Sequence, residues 1–271
     1  MVSYPRRHQL TVGVVQGSAL GPVLFSILID DLAPASPINC MIKFADDVST
    51  VVPENTGCGL EDEFSNIVAW SQRNKLQLNL SKTKEIVFHR PSCRGTLLPT
   101  PLSGIERVNS AKLLGITITS LLKFAEYVNT VIQGCSASMF LLRTLKSRGL
   151  SNGRLEVLFH AFILSRIRYA LSAWGGYVSS ADRGRIDVLL KKCKKFGYCS
   201  NIVSFEKLLQ EADSKLFKKI CSDAHCLNQL LPSQRPLTNS LRMRGHPFSL
   251  PSCTTSLFKM CFINRVLFTK F

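Results

Sequence analysis

Residues 40–52 read CMIKFADDVSTVV. Two short apolar runs, Cys40–Phe44 and Val48–Val52, flank Ala45-Asp46-Asp47, and the second is partly β-branched. This pattern predicts a β-hairpin with acids at its turn. Neighbouring carboxylates repel one another, and a divalent cation relieves that repulsion. Hard carboxylate oxygens suit Mg²⁺, so Asp46 and Asp47 are candidate metal ligands. Transfer of a nucleotidyl group needs two such ions about 4 Å apart, binding the attacking and leaving oxygens. An Asp-Asp pair alone is commonly a solvated turn, so the decision falls to its neighbours.

Upstream, Gly21-Pro22 opens the run VLFSILIDDL, which predicts a short buried helix from Gly21 to Leu32 with proline in its first turn. Asp30 and Asp31 read as its solvated C-terminal end. Downstream, Leu60, Phe64, Ile67, Val68 and Ser71 keep helical spacing to about Lys75. Glu61, Asp62 and Glu63 fall in that helix's first turn, where the dipole favours acids. Leu76, Leu78 and Leu80 alternate as in a strand, as do Ile86 to Phe88. Residues 91–104 read as a loop, and Lys112 to Ile118 as a short strand split by Gly115. This order predicts an α+β fold with an antiparallel sheet over residues 1–120. Four helical stretches then follow, Phe124–Leu145, Arg154–Tyr169, Asp182–Phe196 and Ser204–Ile220, giving an all-α region over 121–230. Residues 231–271 read as an irregular tail closed by the apolar segment Leu257–Phe268.

The chain has a formal net charge of +16 at pH 7, unevenly spread. Residues 1–142 carry 12 Lys and Arg against 11 acids, whereas residues 143–271 carry 22 against 7. A globular region with that excess attracts polyanions through counterion release, which makes nucleic acid the leading partner and an acidic membrane surface the second. Lys191, Lys192, Lys194 and Lys195 lie within a turn and a half, followed by Phe196 and Tyr198. Lysines beside aromatics suit phosphate contacts with base stacking, and a solvated helix face is the bland alternative. Ten cysteines are scattered without any CxxC pair, so neither a disulfide scaffold nor a zinc site is indicated. Cys221, His225 and Cys226 are the nearest approach to zinc spacing. No apolar run reaches the length of a membrane span. With no secretory signal behind Met1, a nuclear or cytoplasmic location is expected. His160, among Leu158, Phe159 and Phe162, reads as a packed helix residue rather than a base, and His89 has no visible nucleophile partner, which leaves a hydrolase without support.

The order QGSALGPVLFSILIDDL, then FADD, then Trp70…Asn74-Lys75-Leu76…Leu78-Asn79…Ser81-Lys82-Thr83, then Lys112-Leu113-Leu114-Gly115, resembles the consecutive palm motifs of reverse transcriptases from non-LTR (LINE-type) retrotransposons. The likeness is strong over residues 10–120. Ile167-Arg168-Tyr169…Trp174-Gly175, Leu241-Arg242…Arg244 and Cys261-Phe262 are similar to the thumb and connection of the same elements. The resemblance implies a partial polymerase palm followed by a helical thumb, RNA-directed DNA synthesis, Mg²⁺ as cofactor, and an RNA template with a DNA primer, or their hybrid, as partners. It assigns both catalytic metals to Asp46, with Asp47 as the less critical partner. Phe44 then packs beside the primer end, and Gln16 and Gly17 begin the helix lining the nucleotide and template pocket. Leu114 and Gly115 form the turn gripping the primer. Lys82 lies near the leaving pyrophosphate as a general acid, with a surface lysine in a loop as the plainer alternative.

Two departures carry consequences. Val15 stands where the family has proline, a tolerable change. The family's fingers and a further metal-binding aspartate belong upstream of Leu10, where nine residues have no room for them. On that reading the chain is an N-terminally truncated fragment, inactive alone as a polymerase. The alternative is a non-catalytic remnant that grips RNA or an RNA–DNA hybrid.

Overall fold

The computed structural model describes residues 18–54, 57–90, 98–234 and 246–269. Gln16 and Gly17, with Val15, Leu241, Arg242 and Arg244, lie outside the described residues. The chain divides into two compact units: residues 1–85 with 98–107, and residues 86–97 with 108–271.

The first unit begins with helix α1, Gly21–Ile29, with Pro22 in its first turn, where a missing N–H costs nothing. Strands β1 (Cys40–Phe44) and β2 (Asp47–Val51) then pair antiparallel, with Phe44 opposite Asp47. Helix α2, Leu60–Arg73, follows; its N-cap amide at Gly59 donates to Asp62 Oδ2 at 2.9 Å. Ile29, Leu32 and Trp70 form the buried centre, with Phe25, Met41, Val48, Ile67 and Leu76 packed against it. One face of the hairpin therefore rests on α1 and α2. Neither strand is buried: β1 alternates exposed and half-buried residues, and β2 is half-buried over Val48, Ser49 and Thr50, as befits a sheet with one wet face.

Two predicted strands are absent where the alternation placed them. Residues 76–80 are irregular, and Leu76 serves the core instead. Residues 86–88 are likewise irregular. The pairing falls just before them, where β3 (Lys84–Glu85) runs parallel to β4 (Glu106–Arg107). Ion pairs fix this short ladder: Lys84 with Glu106, and the nearly buried Glu85 with Arg107 at 2.6 Å. Local alternation states that a segment can be a strand, but a partner must also exist. The expected antiparallel sheet is therefore three separate two-stranded pairs among the described residues, one of them parallel.

The second unit opens with a tight hairpin, β5 (Ser110–Leu113) and β6 (Ile116–Thr119). The single strand split by Gly115 is in fact this pair. Leu114 (φ 46°) and Gly115 (φ 85°) both adopt the left-handed region, as a two-residue turn matched to strand twist requires. Ile116 and Ile118 pack on the helical core. Helices α3 (Ala125–Ser147), α4 (Asn152–Phe159), α5 (Ser165–Arg168), α6 (Leu171–Trp174), α7 (Ser180–Lys195) and α8 (Phe205–Ile220) follow, with a π-helical turn at His160–Leu164 joining α4 to α5. Ser179 caps α7 by accepting from the Asp182 amide at 3.1 Å, and Ser204 starts α8 in the same way. Trp174 and Phe205, both wholly buried, anchor the core of α3–α8.

A smaller core gathers Phe217, Ile220, Phe248, Val266 and Leu267. The closing apolar segment supplies α9 (Ser256–Met260) and α10 (Phe262–Thr269). Buried Arg265 ties this end to the rest. Its guanidinium meets both Asp213 carboxylate oxygens at 2.8 and 3.0 Å and donates to the carbonyls of Ser172 and Met260. Among the described residues no helix is long and apolar enough to cross a membrane.

Candidate functional site

Asp46 stands at the apex of the β1–β2 hairpin and Asp47 is the first residue of β2. Ala45 takes the left-handed φ of 50° that lets two residues reverse the chain. Both carboxylates are exposed, with no side chain of the described residues bonded to them, so all their oxygens are available to a ligand. Phe44, 61% exposed, stands beside the turn.

Helix α1 sets the height of this turn through a residue whose role the sequence reading missed. Lys43 Nζ donates to the carbonyls of Ile29, Asp30 and Leu32 at 2.8, 2.9 and 3.0 Å. A cation on the C-terminal carbonyls of a helix satisfies orphan acceptors and suits the negative end of the dipole. It pins β1 to α1 next to Phe44 and the acids. Asp31 is not merely a solvated helix end either: its Oδ1 accepts from Trp70 Nε1 at 2.8 Å. At the start of β1, wholly buried Glu63 accepts from Asn39 Nδ2 at 2.7 Å and from the Ser36 amide at 3.2 Å, fixing the hairpin to α2. A lone lysine inside an apolar strand and a glutamate on a helix's buried face are the sequence signals that mark these contacts.

Lys82 lies in the first unit, exposed on a turn whose amide bonds to the Asn79 carbonyl and side chain. No bond connects it with Asp46 or Asp47. Leu114 and Gly115 belong to the second unit, at the exposed tip of β5–β6. Tyr169, at the end of α5, donates its hydroxyl to the Leu114 carbonyl at 2.7 Å. A side chain at Gly115 would meet the Tyr169 ring at 3.7 Å. The left-handed Ala170 (φ 46°) breaks the helix just after Tyr169, leaving the ring free to reach the turn.

On α7, Lys191, Lys192, Lys194 and Lys195 are exposed around buried Cys193. None has an ion-pair partner among the described residues. Four unneutralised ammonium groups on one helix face form a strong local positive field. The described residues hold no cluster of three or more His, Cys, Asp or Glu able to bind a metal ion.

Residues 3–118 match the family described as reverse transcriptase (RNA-dependent DNA polymerase). Those residues are a reverse transcriptase segment. A probable RNA-directed DNA polymerase from transposon BS of Drosophila melanogaster is 27% identical over 209 residues, covering 71% of this chain and 23% of that relative. The RNA-directed DNA polymerase from mobile element jockey of the same organism is 23% identical over 181 residues, 61% of this chain and 20% of its own length. A probable RNA-directed DNA polymerase from transposon X-element, also from Drosophila melanogaster, is 25% identical over 182 residues, 62% of this chain and 20% of the relative. These alignments are longer than the family match, so the likeness continues into the helical unit. The segment is of the LINE type, and the chain spans between 20% and 23% of the length of these relatives. No solved structure matches the chain.

Proposed function

We propose that this chain forms part of an RNA-directed DNA polymerase in which Asp46 and Asp47 hold the catalytic divalent cations. The observation that carries the reading is the Asp46–Asp47 pair at the apex of a two-residue hairpin turn, inside the reverse transcriptase segment. The donor set fits one Mg²⁺, which takes one or two carboxylates and fills its remaining positions with water and substrate phosphate oxygens. When bound, such an ion activates the attacking oxygen and neutralises charge on the leaving one. Phe44 lies against the primer end, Gln16 and Gly17 line the nucleotide and template pocket, Lys82 serves the leaving pyrophosphate, and the Leu114–Gly115 turn grips the primer. Lys191, Lys192, Lys194 and Lys195 meet the phosphates of the RNA–DNA hybrid.

The chain by itself holds hybrid without extending it. Two-metal transfer needs more carboxylates than one adjacent pair. Asp31 is committed to Trp70 and Asp30 belongs to the helix end that Lys43 caps, which leaves Asp46 and Asp47 as the candidate metal carboxylates. Primer extension with the 271-residue chain, Mg²⁺ and an RNA template tests this. The expected result is no product together with salt-sensitive hybrid binding. Extension abolished by Asp46→Ala would overturn the inactivity, and hybrid affinity indifferent to salt would overturn the role of the lysines.

A further inference from the structure

Helix α7 turns a second stripe toward α3. Arg185, Val188, Lys192 and Phe196 recur at steps of three and four, so they share one face. Across from them stand Ile132, Ser136 and Met139 of α3, with an open groove of about 640 Å³ between the two helices. Its floor is apolar, its edge is basic, and no Asp or Glu lines it. Val188 is 50% exposed and Phe196 46%. Lys192 has no ion-pair partner among the described residues, and Arg185 engages Asp182 through Nη1 alone. A helix face that only needs solvating has no use for an apolar trough beside unneutralised cations; contiguous exposed apolar surface marks a contact site.

We propose that this groove binds an unpaired nucleic-acid strand, with bases laid on Phe196 and between Met139 and Val188, and phosphates at Lys192 and Arg185. The inference rests on the nucleic-acid reading of the basic region and names a second class of strand that the region accepts. A duplex hides its base faces and presents phosphates and groove edges, so it gains nothing from an apolar floor. An unpaired strand presents a flat face at every nucleotide, and stacking on aromatics tolerates any sequence. An acidic amphipathic helix would match the same charge. The exposed aromatic at the lysine-rich end of α7 favours the strand, because the phosphates leaving Phe196 run directly onto further exposed lysines.

Gly184 makes the idea testable without unfolding the protein. It lies on α7 at the groove, and a Cβ built there meets nothing within 4 Å. A larger residue is also a better helix former than glycine, so Gly184→Phe fills the groove while the helix is kept. Fluorescence anisotropy of a labelled, unstructured oligouridylate and of a blunt RNA–DNA hybrid is the measurement, with circular dichroism melting of each variant beside it. Gly184→Phe should weaken oligouridylate binding about tenfold or more, and Phe196→Leu, which keeps bulk but removes the π face, about fivefold. Hybrid affinity should change less than about twofold. A folded Gly184→Phe chain with unchanged oligouridylate affinity overturns the proposal. So does an equal loss for oligouridylate and hybrid, or a loss confined to an acidic amphipathic peptide. Failure of the parent chain to bind either nucleic acid would instead sink the functional reading beneath it.

Discussion

Replacing Arg265 with methionine should destabilise the helical unit far more than replacing Arg265 and Asp213 together. Arg265 is 9% exposed and Asp213 6%, so both charges have left water, and each is tolerable only beside the other. The guanidinium forms two bonds to the carboxylate at 2.8 and 3.0 Å and two more to the carbonyls of Ser172 and Met260. Arg265→Met removes all four and leaves the Asp213 carboxylate buried without a cation. Breaking a buried pair from one side costs about 3–5 kcal/mol. At about 2–4 °C per kcal/mol for a unit of this size, melting should fall by roughly 6–20 °C. The double variant Asp213→Leu/Arg265→Met leaves no orphan charge and should recover most of that loss, giving a large coupling in the double-mutant cycle. Urea denaturation followed by tryptophan fluorescence reads it directly. The chain has two tryptophans, and a Trp70→Phe background leaves wholly buried Trp174 as the reporter. Because the pair is buried, added salt should scarcely alter the result. A single-variant loss below about 1 kcal/mol, or strictly additive effects, would refute the claim that this ion pair fastens the C-terminal helices.

Lys43→Met strips three carbonyls of α1 of their donor, so a loss of about 2 kcal/mol is expected, with faster amide exchange across residues 41–50 as the check. Tyr169→Phe should cost about 1 kcal/mol and speed exchange in the Leu114–Gly115 hairpin, while Gly115→Ala should cost a similar amount because φ is 85° there. Burial pushes the thiols of Cys135 and Cys193 up to about 11 and about 12 from an ordinary 9.0. At pH 8 they should resist iodoacetamide while exposed Cys40 and Cys226 react. Raised folded-state values mean that the stabilisation is whole below pH 9 and is lost as pH rises through 11 to 12, so alkaline unfolding should begin above pH 9. Changing Lys191, Lys192, Lys194 and Lys195 to glutamine should flatten the log–log salt dependence of hybrid binding by about two to three units, since a duplex meets only part of so wide an arc.

What could be read from the sequence was local. Gly21-Pro22 before an apolar run and two short runs around Asp46-Asp47 each contain their own instruction, and a helix and a hairpin formed there, although α1 stops at Ile29 and leaves Val23, Leu24, Ile27 and Leu28 exposed where the sequence predicts a buried helix to Leu32. Gly115 announced a turn, although its partner Leu114, a bulky residue at positive φ, did not. Leu76, Leu78 and Leu80 misled because alternation is only half of a strand; Leu76 joins the core behind α2 while Leu80 stays exposed. The ladder of Lys84–Glu85 with Glu106–Arg107 bridges 22 positions, and Arg265 reaches Asp213 across 52. No periodicity reports contacts at that range. Lys43 was legible in hindsight: an ammonium between Ile42 and Phe44 must find oxygen, and the nearest oxygens are the uncapped end of the preceding helix.

The uneven charge of the chain fits the chemistry proposed for Asp46 and Asp47. Two exposed carboxylates on a hairpin repel a phosphate backbone as surely as they attract a divalent ion, so the acids cannot themselves hold the polyanion whose end they would act on. Affinity must come from elsewhere in the protein. The near-neutral balance of residues 1–142 and the 22-to-7 excess of cations over acids beyond them are what that division of labour demands. Under the proposed function it also accounts for the four lysines around Cys193 having no acidic partners among the described residues: an ion pair there would cancel the counterion release on which such binding depends. Stability in the helical unit is instead drawn from burial around Trp174 and from one enclosed pair, Arg265 with Asp213, where a charge is spent on structure because it is hidden from solvent.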